Sequence, residues 1–143
     1  MNFDGKIAVI TGSSLGIGAE AAKKITALGG RVTINYSKSK EAAEEVAHKC
    51  SQLGNSPLII KSDIATDEGC KHLIDKAFGE FNAINILINN AGRTKFADHS
   101  NLEALHREDF EDILALNLNS NYERIKYARP HLARNKKSSI VKI

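Results

Sequence analysis

The residues most able to do chemistry lie in Thr11-Gly12-Ser13-Ser14-Leu15-Gly16-Ile17-Gly18. This stretch falls where a short apolar run, Lys6-Ile7-Ala8-Val9-Ile10, gives way to a helical pattern. A missing Cβ permits a tight turn and lets backbone approach a ligand closely. The start of the helix then offers unpaired N–H groups and the positive end of a dipole, a fit for a pyrophosphate. Ser13 and Ser14 could add hydroxyl donors. By analogy with dinucleotide-binding turns, Gly12 makes the turn, Gly16 clears the phosphates and Gly18 packs helix on strand. The spacing is G-x-x-x-G-x-G rather than G-x-G-x-x-G, and no Gly-Lys-Ser/Thr follows as a Walker loop requires. Alone, the loop also reads as a structural turn; its place between strand and helix favours the ligand reading.

Three further groups sit at matching places. Asn89-Asn90-Ala91-Gly92 follows an apolar run at 84–88. Ligands of open α/β sheets bind at such carboxyl ends. An amide there either pins the sheet edge or meets the ligand, and Ala91-Gly92 leaves room. Asp63-Ile64 follows a third apolar run; by itself Asp63 reads as a turn or cap residue. Asn117 lies mid-helix, where asparagine has mediocre propensity and reads as solvated.

Together these stretches strongly resemble the short-chain dehydrogenase/reductase family. Thr-Gly-x-x-x-Gly-x-Gly at 11–18 and Asn89-Asn90-Ala91-Gly92 carry the resemblance, with Asp63-Ile64 as the adenine-contacting pair and Asn117 as the catalytic asparagine. They run in order over essentially the whole chain. The resemblance implies a cofactor site built from Gly12, Ser13, Ser14, Leu15, Gly16, Ile17, Gly18, Ser37, Lys38, Asp63, Ile64, Asn90, Ala91 and Gly92. It places Asn90 toward the cofactor and Asn89 toward the scaffold. It gives Asn117 a local helix bend and a water of the proton relay.

Cofactor choice turns on the end of the second strand. An acid there bonds a ribose 2′-OH and favours NAD(H), whereas a cation or small polar group accommodates a 2′-phosphate. Tyr36-Ser37-Lys38-Ser39-Lys40 holds no acid before Glu41, which favours NADP(H), with NAD(H) possible. Leu15 pulls the other way, because NADP-preferring relatives often carry a cation there.

The implied activity is hydride transfer between a nicotinamide and a carbonyl or alcohol substrate. A phenol is a poor base at neutral pH unless a cation stabilises phenolate, hence the family's tyrosine and lysine. In complete members a serine follows the fifth strand and Tyr-x-x-x-Lys comes on the next helix. The sequence ends within that strand, so the 143 residues are expected to be catalytically incomplete alone. The other reading is a non-catalytic half-domain that binds a dinucleotide or a partner. Tyr122-Glu123-Arg124-Ile125-Lys126 mimics Tyr-x-x-x-Lys but precedes the fifth strand, as do Ser138-Ser139. Both are rejected as catalytic groups.

The elements that must hold these residues alternate. Strands are predicted at 6–10, 31–36, 58–60, 84–88 and from 140, and helices at 16–28, 40–53, 67–79 and 108–134. The last helix carries Ile113, Leu114, Leu118, Ile125 and Leu132 as its apolar positions. Short turns between alternating elements imply an α/β, Rossmann-type doubly wound parallel sheet, here one domain over 1–143 and truncated in the fifth strand.

Composition bounds the rest. Hydrophobic residues make up 42% and charged residues 26%, which fits a globular core and excludes a disordered or collagen-like chain. Cys50 and Cys70 build neither a disulfide framework nor a zinc site, which suggests a reducing compartment. Without a secretory h-region or a run of roughly 20 apolar residues, cytoplasmic placement is expected and no membrane partner. Residues 124–143 hold seven of the 20 basic residues and no acid. Arg124, Lys126, Arg129 and Arg134 read as a solvated helix face, so no nucleic-acid partner is expected. The complete protein is expected to form a homo-oligomer, with the long helix against its equivalent.

Overall fold

A computed structural model describes residues 2–143. Its elements are β1 (Ile7–Ile10), α1 (Gly16–Ala27), β2 (Arg31–Tyr36), α2 (Lys40–Leu53), β3 (Leu58–Lys61), α3 (Asp67–Phe81), β4 (Ile86–Asn89), α4 (Arg107–Leu114), α5 (Ser120–Leu132) and β5 (Ser139–Lys142). The five strands form one sheet in the order β3-β2-β1-β4-β5. Every adjacent pair is parallel. The fold is thus the expected Rossmann-like α/β sheet.

The sequence makes β1 the centre because Ile7-Ala8-Val9-Ile10 is apolar throughout, and all four residues are buried. Side chains alternate between the two faces of a strand. Ala8 and Ile10 therefore join Val32, Ile34 and Tyr36 beneath α1 and α2. Val9 joins Ile60 and Leu87 beneath α3 and α5. Small residues on the helices, Ala19, Ala22, Ala43 and Ala47 on one face and Ala77 and Ala128 on the other, let them lie close to the sheet. Thr66 caps α3 by accepting the Gly69 N–H at 3.0 Å, with Asp67 and Glu68 favourable in the first turn.

The long helix expected over 108–134 departs from prediction. A π-helical turn, Ala115–Asn119, separates α4 from α5. Such a turn inserts a residue into the α-helical count and rotates the helix beyond it. Leu114 and Leu118, read as core, are 49% and 61% exposed. With Phe110 and Tyr122 they form an exposed row at intervals of four residues. Ile113 and Ile125 are half-buried and Leu132 is buried, so part of the expected face does pack inward. The basic face also needs correction. Lys126 and Arg129 are exposed, but Arg124 is 0% exposed and is the largest fully buried side chain among the described residues. The fifth strand starts one residue earlier than expected, at Ser139, and the fourth spans Ile86–Asn89. No helix among the described residues is long and apolar enough to cross a membrane.

Candidate cofactor cleft

The order β3-β2-β1-β4-β5 reverses direction beside β1. The chain moves outward through β2 and β3, then returns to the other side with β4. Connections at the strand ends diverge there and open a crevice. A cleft of about 570 Å³ lies at this point, within the range of small-molecule sites. Its walls include Gly12, Ser14, Leu15, Gly16 and Ile17 from the first turn, Ser37 and Lys38 after β2, Asp63 and Ile64 after β3, and Asn90, Ala91 and Gly92 after β4. Twelve of the residues expected from sequence therefore meet around one space.

The glycine turn is set by conformation and contact. Gly12 and Gly16 have φ of +60° and +56°, where other residues are strained. A Cβ on Gly12 would stand 3.0 Å from the Ala91 Cβ, whereas one on Gly16 would meet nothing within 4 Å, the open cleft side. Gly18 lies in α1, facing inward. A Cβ there would come 2.5 Å from Asn90 Nδ2 and 2.8 Å from the Gly12 carbonyl oxygen. Gly18 therefore shapes the turn without lining the cleft. The first turn of α1 has no side-chain cap and no acidic residue, which leaves its N–H groups and dipole for an anion.

Ser13 is a correction to the expected donor pair. Its hydroxyl is buried and donates toward Ile10 O at 2.9 Å and Thr33 O at 3.3 Å, while accepting the Asn35 N–H at 2.9 Å. Its own N–H donates to Asn35 O at 3.1 Å. Its hydroxyl and its N–H are both engaged inside, leaving Ser14 as the one of the pair that lines the cleft.

Two residues with no role expected from sequence hold the turn, Thr11 of the motif itself and Asn35. Thr11 Oγ1 accepts the N–H groups of Asn90 and Ala91, each at 3.0 Å. Asn35, on the cleft wall but only 2% exposed, accepts the Gly12 N–H at 3.2 Å. Its amide donates to Ser62 O at 3.2 Å and Ile60 O at 3.4 Å. One amide thus joins the ends of three strand connections. The available signal was a lone asparagine inside the β-branched run Arg31–Tyr36.

The two asparagines after β4 divide their tasks. Asn90 donates to the carbonyl oxygens of Thr11 at 2.9 Å and Gly12 at 3.1 Å and also lines the cleft. Asn89 is 1% exposed and points into the core, where its Oδ1 accepts from Arg124 Nε at 2.7 Å. Asp63 lines the cleft while one carboxylate oxygen accepts the Ala65 N–H at 3.1 Å, a local turn that fixes its backbone. Lys38 and Ser37 are both exposed at the cleft edge.

Asn117 is not on the cleft wall. It sits in the π turn, where its Oδ1 accepts the Arg93 N–H at 2.9 Å and its Nδ2 donates to Arg93 O at 2.8 Å. This two-point clamp fixes the chain just past Gly92, and Arg93 does line the cleft. The rejected pair stays away from this site: Tyr122 is 70% exposed, and Lys126 bonds Asp67 at 3.2 Å. The Asp67 carboxyl, held by hydrogen bonds from Tyr127 and then Lys126, lies below the usual carboxylate range. Behind the cleft, burial pushes the Cys70 thiol up to about 11. No cluster of metal-binding side chains occurs among the described residues.

Comparison with known proteins agrees with this geometry. A family model described as short chain dehydrogenase matches residues 6–143. The chain belongs to that family. A short chain dehydrogenase of Claviceps purpurea is 33% identical over 130 residues, covering 91% of this chain and 48% of that protein. The 3-oxoacyl-acyl-carrier-protein reductase FabG of Staphylococcus epidermidis is 28% identical over 138 residues, 96% of this chain and 55% of its own length. A crystal structure of a short chain dehydrogenase from Burkholderia cenocepacia J2315 in complex with NADP superposes with a TM-score of 0.91 at 32% identity, covering 99% of this chain and 56% of that one. The chain thus spans about half the length of the curated relatives it matches.

Proposed function

We propose that this chain supplies the dinucleotide-binding half of an oxidoreductase that acts on a carbonyl or alcohol substrate, with NADP(H) preferred over NAD(H). The observation that carries the reading is the uncapped start of α1 behind two left-handed glycines, opening on a cleft large enough for a nucleotide. The residues present fit that ligand. The first turn of α1 and the open face of Gly16 would receive the pyrophosphate. Asp63 and Ile64 would meet the adenine, and Ala91-Gly92 would leave space for the nicotinamide ribose. Lys38, with Ser37 beside it, would pair with a 2′-phosphate. The cofactor would supply the hydride chemistry. This chain's part is to bind and orient it, with Asn90 holding the glycine turn and Asn117 holding the wall at Arg93.

The relatives support the reading through their names, a reductase of oxoacyl chains and a dehydrogenase solved with NADP. Substrate recognition and the serine, tyrosine and lysine of the family chemistry are assigned to residues outside this sequence, and the complete protein is read as a homo-oligomer. Fluorescence titration of the 143-residue chain with NADPH and NADH is the test. Saturable binding, tighter for NADPH, is expected. Binding of neither overturns the reading, and equal binding of both overturns the assignment of Lys38.

A further inference from the structure

Arg124 stands on α5 with its guanidinium inside the protein, 0% exposed. Among the described residues no carboxylate comes within ion-pair reach of it; burial lowers its pKa, opposed first by the Cys70 sulfur, 4.0 Å from Nη1, and then by Glu123. A buried charge without a counter-ion is costly, and a leucine or methionine would fill such a space without that cost. The group is kept charged by neutral acceptors instead. Nε donates to Asn89 Oδ1 at 2.7 Å and Nη1 to Ser120 Oγ at 2.8 Å. Nη2 donates to Asn121 Oδ1.

These acceptors have a common destination. Asn89 ends β4, immediately before the residues that hold the glycine turn and line the cleft. Asn121 uses its amide to donate to the Asn117 carbonyl oxygen in the π turn. A π turn interrupts the regular i to i−4 ladder, so its backbone groups need partners from side chains. Asn117 in turn grips Arg93 at both backbone groups. One guanidinium therefore touches the end of β4 directly and reaches the π turn through Asn121. Its planar fork can donate in several fixed directions at once, which an ammonium on a flexible stem cannot reproduce.

We propose that Arg124 is a positioning residue for the cleft: from the core it locks the end of β4 to the π turn, and so sets the wall from Asn90 to Arg93. It touches no cofactor and acts through Asn89 and Asn121. The inference rests on the dinucleotide reading only where cofactor affinity is the readout.

Two variants of the full chain test it. Arg124→Met removes the donors. Asn121→Asp keeps the shape and gives Arg124 a carboxylate, but takes away the donor to the Asn117 carbonyl. Three quantities are measured: hydrogen exchange of the Arg93 backbone N–H without ligand, the Kd for NADPH, and the Tm. Positioning predicts Arg93 exchange about tenfold faster and a Kd raised at least about fivefold in both variants. The Tm of Asn121→Asp should equal or exceed that of the parent. A purely structural ion site predicts the same Tm for Asn121→Asp but an undisturbed wall, with Arg93 exchange and Kd as in the parent. If Arg124→Met does not fold, Asn121→Asp decides alone. Exchange or Kd within about twofold of the parent in Asn121→Asp overturns the proposal. A parent that binds neither NADPH nor NADH overturns the dinucleotide reading, and Arg93 exchange then decides the positioning role.

Discussion

Gly18 has less room than its exposed neighbours Gly16 and Ile17, because the Asn90 amide lies where its Cβ would go. Gly18→Ala should push Asn90 off the Thr11 and Gly12 carbonyls, lowering stability by about 1–3 kcal/mol and weakening dinucleotide binding. Thermal melts and NADPH titration check both effects. At the opposite side of the cleft, Lys38→Asp should weaken NADPH binding about tenfold and leave NADH little changed. Equal tightness for NADPH in parent and variant would remove Lys38 as the phosphate contact. Cys70 gives a pH prediction. Its thiol is pushed up to about 11 from an ordinary value of 9.0 by burial. Between those values the unfolded chain has released the proton and the folded chain retains it. This contribution is fully present below pH 9 and is lost as pH rises toward 11, by up to about 3 kcal/mol. Urea melts of parent and Cys70→Ala should therefore converge across that window. At this scale the glycine turn was legible, since unusual backbone demands unusual residues. The inward turn of Ser13 and Arg124 was not, because a polar side chain reveals its direction only through partners distant in sequence.

Among the elements, the strands were readable as uninterrupted apolar runs and the first three helices as apolar faces closed by capping or breaking residues. The π turn left no such mark in the residue pattern; only the helix bend that the resemblance implied for Asn117 pointed to it. A stretch such as Leu114–Ser120 has acceptable α-helical composition, and the extra residue is held by Asn117 gripping Arg93, by Asn121 bonding the Asn117 carbonyl and by Arg124 bonding Asn121. The same reason explains Leu114 and Leu118. An apolar spacing of three and four residues says that a face exists, but two such rows run along this helix and only packing selects the inner one. The turn has a measurable role in restraining the segment from Arg93 onward. Asn117→Ala removes both of its bonds to Arg93 and should speed trypsin cleavage after Arg93 or Lys95. The cost in global stability should stay near 1–2 kcal/mol. Cleavage at the parent rate would show that the segment is held elsewhere, for instance by the ion pair of Lys95 with Asp109 at 2.6 Å.

For the whole molecule, the parallel sheet and its two covering layers followed from alternation alone; the long helix was expected to meet its equivalent, but which of its apolar residues stay exposed was not legible. Phe110, Leu114, Leu118 and Tyr122 are exposed along one side of the π-interrupted helix, and Ile140 and Val141 are exposed on β5. Apolar surface of this kind promotes association. Sedimentation of the chain should show concentration-dependent self-association, and the pair Leu114→Glu with Leu118→Glu should shift it toward monomer. Unchanged sedimentation would place the contact on β5. The strand order also dictates a sequence of events during synthesis. As the polypeptide emerges, β1, β2 and β3 can pair early, with β1 still an edge. The partner on its other side, β4, arrives only after Asn85, and the Thr11–Asn90 bonds span 79 residues. The glycine turn is the earliest part of the cleft to be translated, yet it cannot be set before the distant Asn90 and Ala91 exist. Slow, non-local closure of this kind leaves the half-made sheet exposed meanwhile. A ribosome pause after β3 would hold a three-stranded layer with an open central edge, a state for chaperones to guard rather than one able to hold a nucleotide.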